Sequence, residues 1–398
     1  MRSPLTVNLG RSMLNLVRPD IDALADSPIL YVWRAGQGVE GIIGLWAGEP
    51  DSATPAFICD AAIAALRAGH THYTYNRGIP ELRAAIGRYV RRLYRVEVAE
   101  GRIAATSAGI NAVELVCQAL LGAGSRAVAI TPSWPNIMRA MSINGAEVTE
   151  VPLRRANAGW SLDMDAVEAA CGPGVKMLYL ASPANPTGWQ ITPEEARHLL
   201  ALSRKRGFAI VSDEVYHRIV YDRPVAFSFL EIAEPDDNVF VINSFSKAWA
   251  MSGWRLGWLI YPGYFLPTAE KLIQFNTSGG QAFLQHGAVA ALDEGEAFVE
   301  DFVGRCRAGR EIVSRRLAAM PRVREIESEG AFYSMFEVEG VADTLGFCMD
   351  LVREARLGLA PGIAFGAGAQ TLIRLCYAKS GALLEEAMDR LEGRLARL

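Results

Sequence analysis

The sequence predicts an α/β fold: a large domain with a mostly parallel sheet covered by helices, joined to a smaller α+β domain. Three observations lead there. Short, nearly all-apolar runs alternate with amphipathic stretches through the middle of the chain, the pattern of strands buried on both faces and the helices that cover them. The chain has 398 residues, room for two or three domains. Beyond residue 290 the strand-like runs thin out and the connections lengthen, which marks a second unit of different architecture.

The elements follow in order. Segment 1–45 has no strong periodicity of either kind. The run 109–121 places Ala112, Leu115, Val116, Ala119 and Leu120 at three-to-four spacing, one face of a helix. Strands are predicted at 127–131, 147–152, 176–180, 208–212, 239–243 and 257–261. A helix over 193–206 has Thr192 as N-cap, Pro193 in the first turn and Glu195 placed to reach back, a capping box. The C-terminal part reads as helix 298–319, strand 331–338, helix 343–356, strand 371–378 and helix 383–398.

Composition excludes several classes. Hydrophobic residues at 51% and charged ones at 21% suit an ordered globular chain. A formal charge of −4 supplies no basic field for nucleic acid or an anionic membrane. No uncharged run approaches a membrane span, and the first twenty residues lack the apolar core of a signal peptide. The six cysteines form no C-x-x-C pair and have no histidine at zinc spacing, so no metal is expected and a reducing cytoplasm is. Of the 40 basic residues only Lys176, Lys205, Lys247, Lys271 and Lys379 are lysines. A lysine inside a motif is therefore a rare event in this chain.

In open α/β sheets ligands bind beyond the carboxyl ends of the strands. After 127–131 comes Pro132-Ser133-Trp134-Pro135-Asn136, and after 176–180 comes Ser182-Pro183-Ala184-Asn185-Pro186-Thr187-Gly188. After 208–212 comes Asp213-Glu214-Val215-Tyr216; after 239–243 comes Ser244-Phe245-Ser246-Lys247, with Arg255 in the same loop region. An aromatic ring, an amide, a carboxylate with a phenol, and a lysine with an arginine thus meet at one edge. The N–H groups of Ala108, Gly109 and Ile110 open a helix and face outward as an anion site, and Ser244, Ser246 and Arg255 would complete a phosphate basket. Taken singly, Asp213 reads as a helix cap, Trp134 as core and Lys247 as a solvated surface lysine. Arg374, on an apolar strand, is expensive to bury without a partner.

Three segments, S-P-A-N-P-T-G at 182–188, S-D-E-V-Y at 212–216 and S-F-S-K-A-W-A-M-S-G-W-R-L-G-W at 244–258, resemble the class I/II aminotransferases. These are fold-type-I pyridoxal-phosphate enzymes. The resemblance runs from 41–55 through 73–86 to 371–378, nearly the whole chain. It implies a seven-stranded sheet in a large domain of residues 48–290 and a small domain of 1–47 with 291–398. It implies pyridoxal 5'-phosphate as cofactor, with Lys247 as the Schiff-base lysine and Asp213 on the pyridine nitrogen. Asn185 and Tyr216 would face the phenolic oxygen, and Trp134 would stack on the ring. Ala108, Gly109, Ile110, Ser244, Ser246 and Arg255 would hold the phosphate, joined by Tyr73 from the neighbouring subunit of a homodimer with shared sites. Arg374, with Gly48 and Asn185, would bind the substrate carboxylate.

The chain departs from the family in placing Ala108 and Ile110 where hydroxyl residues are frequent, and no arginine stands out for a second, distal carboxylate. The activity implied is ping-pong transfer of the amino group of an L-amino acid to a 2-oxo acid through an internal aldimine on Lys247. A β-eliminating C–S lyase on the same scaffold needs the same cofactor residues and is the alternative. A cofactor-binding transcription regulator would need a DNA-binding module that segment 1–45 does not provide.

Overall fold

The computed structural model describes residues 16–156 and 159–398. Its centre is a seven-stranded sheet of β1 (Ile103–Thr106), β2 (Ser125–Thr131), β3 (Ala146–Pro152), β4 (Val175–Ala181), β5 (Ala209–Asp213), β6 (Val239–Ser244) and β7 (Gly257–Ile260). The spatial order is β1-β7-β6-β5-β4-β2-β3. All six strands expected from the apolar runs are present, with ends displaced by one or two residues. The additional strand is β1, whose Ile-Ala-Ala-Thr is wholly buried but too short and too alanine-rich to show a period.

Five strands, β3, β2, β4, β5 and β6, run parallel. The connection from β6 to β7 contains only a single turn, at Ser252–Trp254, and no crossover helix. A parallel return needs a longer crossover, so β7 runs antiparallel to both β6 and β1. Its first residue, Gly257, therefore pairs with Ser244 on one side and Thr106 on the other. The loops after β1, β2, β4, β5 and β6 and the one before β7 all open on one edge.

That edge is tightly fitted. A Cβ on Gly257 would stand 2.7 Å from the Gly109 nitrogen, so a side chain there would push the next helix off the sheet. That helix, Gly109–Leu120, begins after Ala108 at φ 90, a conformation that costs a residue with a Cβ. The predicted capping box of helix Pro193–Arg206 is present, with both Thr192 and Glu195 engaged.

Beyond the large sheet lie helix Glu296–Ala318 and a four-stranded antiparallel sheet ordered Val323–Ile326, Tyr333–Val338, Leu372–Cys376 and Ala360–Pro361. Helices Glu296–Ala318 and Thr344–Ala355 pack on it, and helix Gly381–Leu395 packs against both of them. The N-terminal part joins this region: Ile43–Gly44 pairs in parallel with Leu357–Gly358, and the Cys376 N–H donates to the Leu45 carbonyl at 3.0 Å. Within segment 1–45, residues 1–15 lie outside the described residues, and the rest includes helix Pro28–Gly36, which turns Val32 inward. Among the described residues no helix is long and apolar enough to cross a membrane.

Candidate active site

A cavity of about 330 Å³ opens where the strand ends of the large sheet meet the four-stranded sheet. Gly48, Gly109, Ile110, Trp134, Asn185, Asp213, Tyr216, Ser244, Ser246, Lys247, Arg255 and Arg374 all line it. Two of the expected residues stand apart. The Ala108 N–H donates to the Thr106 carbonyl at 2.9 Å and is committed there, leaving Gly109 and Ile110 as the backbone at that end. Tyr73 is 94% exposed and lies in a separate surface hollow with Thr71 and Gln281.

The lysine sits in the middle of the cavity. Its Nζ donates to the Gly48 carbonyl at 2.7 Å and lies 5.6 Å from the centre of the Tyr216 ring. Burial, aided by the positive Arg374 and opposed by Cys376, Glu49 and Asp213, brings its pKa down to about 8. A carbonyl accepts more strongly from an ammonium than from an amine, but one such contact does not offset the cost of burying the charge. The result is an amine much closer to neutral at physiological pH than a surface lysine.

Three ends of the cavity differ in chemistry. At one, the Asp213 carboxylate accepts from the Tyr179 hydroxyl at 2.8 Å and from the Val215 N–H at 3.2 Å. Burial raises its pKa, and those two bonds with the Lys247 charge draw it back. Among the described residues no cation pairs with it in a direct contact, so the carboxylate is poised for a protonated ligand nitrogen. At another, Ser244 Oγ donates to Ser246 Oγ at 2.9 Å or to the Leu256 carbonyl at 3.2 Å, beside the helix start at Gly109 and the Arg255 guanidinium. Arg255 is held by the Ser252 carbonyl at 2.6 Å. Hydroxyls, a helix N-terminus and an arginine fork together suit a phosphate.

At the third end, Arg374 is 3% exposed and has no carboxylate partner among the described residues. Its Nη1 donates to Asn185 Oδ1 at 2.9 Å and its Nη2 to the Trp46 carbonyl. Its guanidinium lies between the rings of Tyr333 and Phe365, 4.4 and 4.8 Å from their centres. The Nε is buried with no hydrogen-bond partner among the described residues. A buried cation in this state is costly unless an anion completes it.

Among the lining residues not named as site residues from the sequence, four are large side chains: Ile29, Trp46, Tyr179 and Tyr333. Tyr179 had a signal, because a phenol within an otherwise apolar strand needs a buried partner and shares the face of Ala181 two residues on. Tyr333 and Trp46 gave none, since each looks like ordinary core from its neighbours. Tyr31 and Trp33, which share a helix with Ile29, are each 44% exposed.

Basic and hydroxyl groups for a phosphate, a carboxylate for a ring nitrogen, a primary amine between them and an incomplete arginine beyond: these fit pyridoxal phosphate. Fold and cavity together define a pyridoxal-phosphate-dependent enzyme of fold type I. Residues 40–391 match the family model "Aminotransferase class I and II", and the chain belongs to that family. It is an enzyme that transfers amino groups. An aspartate aminotransferase of Pyrococcus horikoshii is 31% identical over 92% of this chain and 94% of its own. Aromatic-amino-acid aminotransferase 2 of Thermococcus litoralis is 30% identical over 94% of this chain and 96% of its own. The crystal structure of a Thermotoga maritima aspartate aminotransferase superposes with a TM-score of 0.88 at 31% identity, covering 96% of this chain and all of that one. None of these points to a C–S lyase.

Proposed function

We propose that this enzyme moves the amino group of an L-amino acid to a 2-oxo acid in two half-reactions at this cavity, with Lys247 as the residue that holds the cofactor. The observation that carries the reading is the lysine, its pKa near 8, set between Asp213 and the incomplete Arg374. Pyridoxal phosphate, when bound, supplies an electron sink for the pair left on the substrate α-carbon.

The chain's own residues do the rest. Asp213 would hold a protonated ring nitrogen; Gly109, Ile110, Ser244, Ser246 and Arg255 would anchor the phosphate; Trp134 would pack on the ring, and Tyr216 and Asn185 would hold the phenolic oxygen. Arg374 takes the substrate α-carboxylate on its free donors, with Asn185 and the Gly48 backbone fixing its plane. Lys247 Nζ, the one primary amine among the described residues lining the cavity, would take the substrate α-proton and hold it for return.

The working molecule is a homodimer in which Tyr73 of each protomer completes the phosphate end of its partner's cavity; exposed Tyr73, Tyr75 and Phe275, at 94, 69 and 82%, support this. Residues 48–290 form the large domain, and 1–47 with 291–398 the small one, supported by the pairing of 43–44 with 357–358. Six unpaired cysteines suit the cytoplasm.

The test is to add single amino acids to the holoenzyme with no acceptor and follow the visible band. Conversion to the amine form supports transfer; release of ammonia and pyruvate shows elimination instead. Mixed dimers of inactive Tyr73→Phe and Lys247→Ala chains should regain activity, and absence of rescue with subunit exchange confirmed refutes the shared site.

A further inference from the structure

The residue with the most contacts to machinery and no role so far is Tyr333. It is fully buried, at the start of strand Tyr333–Val338. Its hydroxyl lies 2.6 Å from the Tyr216 hydroxyl. Its ring carries the Arg374 guanidinium at 4.4 Å. A Cβ on Gly48 would fall 1.8 Å from its oxygen, so the Gly48 backbone, whose carbonyl receives Lys247, can occupy its place only because that residue has no side chain. One phenol thus touches the tyrosine at the phenolic oxygen, the arginine of the carboxylate end and the glycine behind the lysine.

The direction of the short bond between the two hydroxyls decides what Tyr333 does. If Tyr216 donated to Tyr333, its proton would be committed to that hydroxyl and lost to a ligand. The reverse frees it. Neither hydroxyl has another hydrogen-bond partner among the described residues, so the Arg374 guanidinium seated 4.4 Å from the Tyr333 ring centre decides the direction: a cation against that ring makes its phenol the more acidic and the stronger donor. We propose that Tyr333 is a positioning residue whose hydroxyl donates to Tyr216, so that the Tyr216 proton is directed at the cofactor's phenolic oxygen, while its ring holds the Arg374 plane for the substrate carboxylate. This rests on the proposed placement of Tyr216 and Arg374. Burial raises the pKa of both phenols, so both stay protonated and able to donate throughout the working range. A Tyr216 that itself accepts a hydrogen bond is a better donor, and a well-donated phenolic oxygen keeps its negative charge, which makes the nitrogen linked to Lys247 easier to deprotonate.

The experiment is a pH titration of the holoenzyme's visible band, with KM measured beside it. Tyr333→Phe should move the midpoint up by roughly half a unit to one unit, the effect of one neutral hydrogen bond, and leave KM for the amino acid within about twofold because the ring under Arg374 remains. Tyr333→Leu lacks hydroxyl and ring; it should show the same midpoint and raise KM by roughly three- to tenfold. It also serves as the second variant if Tyr333→Phe folds poorly. In a Tyr216→Phe background the Tyr333→Phe shift should vanish, as expected of a relay through that hydroxyl. A midpoint within about 0.1 unit of wild type, or an equal shift in the Tyr216→Phe background, overturns the relay. A wild-type band that does not form or titrate overturns the cofactor assignments beneath it, which is a separate outcome.

Discussion

Lys247 provides the sharpest test of the site, because its burial makes a quantitative demand on pH. An ordinary lysine of pKa 10.5 is neutral in only about three molecules in ten thousand at pH 7, whereas one held at about 8 is neutral in about one in ten. The difference is roughly 300-fold in the form that attacks an aldehyde. The perturbation is pH itself, applied to the cofactor-stripped protein mixed with excess pyridoxal phosphate while the visible band grows. The rate should climb about tenfold per unit up to about pH 8 and flatten above, because the amine is then already free. Removing the Arg374 charge, which depresses Lys247 further, should carry the break to higher pH. A rate that still climbs tenfold per unit through about pH 9.5 would mean a solvated lysine and would refute the burial argument. A Lys247→Ala protein that still develops the band would refute the assignment of the lysine.

Two other outcomes follow. Arg374→Leu should raise KM for amino acids by at least about 100-fold, the loss of a charge-assisted pair of hydrogen bonds, with the visible band of the resting enzyme retained; steady-state kinetics checks this, and an unchanged KM removes the carboxylate role. Glu214 is buried beside Asp213, accepts from Ser212 Oγ at 2.9 Å and the Phe229 N–H at 3.1 Å, and is pushed up to about 7 by burial. Between about 4.5 and 7 the native state therefore binds a proton that the unfolded chain has released, and stability falls as pH rises across that window, by at most about 3 kcal/mol. Denaturant midpoints of the holoenzyme at both ends of the window should fall with pH in wild type and much less in Glu214→Gln.

Much of this was legible in the chain. The strands ending at Thr131, Ala181, Asp213 and Ser244 are buried on both faces, so they appear as unbroken apolar runs, and the polar residues that terminate them stand out. That contrast exposed Trp134, Asn185, Asp213 and Lys247 together. What stayed hidden depends on contacts distant in sequence. Tyr333 owes its importance to Tyr216, 117 residues away, and nothing beside it in the chain sets it apart from the core. The antiparallel direction of β7 came from the lack of a crossover helix, which a strand propensity cannot express. The Ala108 amide looked available because helix starts leave N–H groups free; the backward turn that takes it up depends on the left-handed backbone at that residue.

The parallel pairing of Ile43–Gly44 with Leu357–Gly358 also has a consequence for how the protein is made. The first strand emerges from the ribosome more than 300 residues before its partner, and at about 5 to 20 residues per second it waits roughly 15 to 60 s. Over that interval Trp46, whose carbonyl will receive Arg374, lacks the Gly358 backbone that packs on its ring, and Gly48 stands without Tyr333. The lysine and its sheet can be in place while the carboxylate end does not yet exist. On the proposed assignments, the groups for cofactor and those for the substrate carboxylate are completed at different moments of synthesis, and a chain interrupted before residue 357 is expected to hold the first set without the second. The last segments translated act as a completeness check on the enzyme.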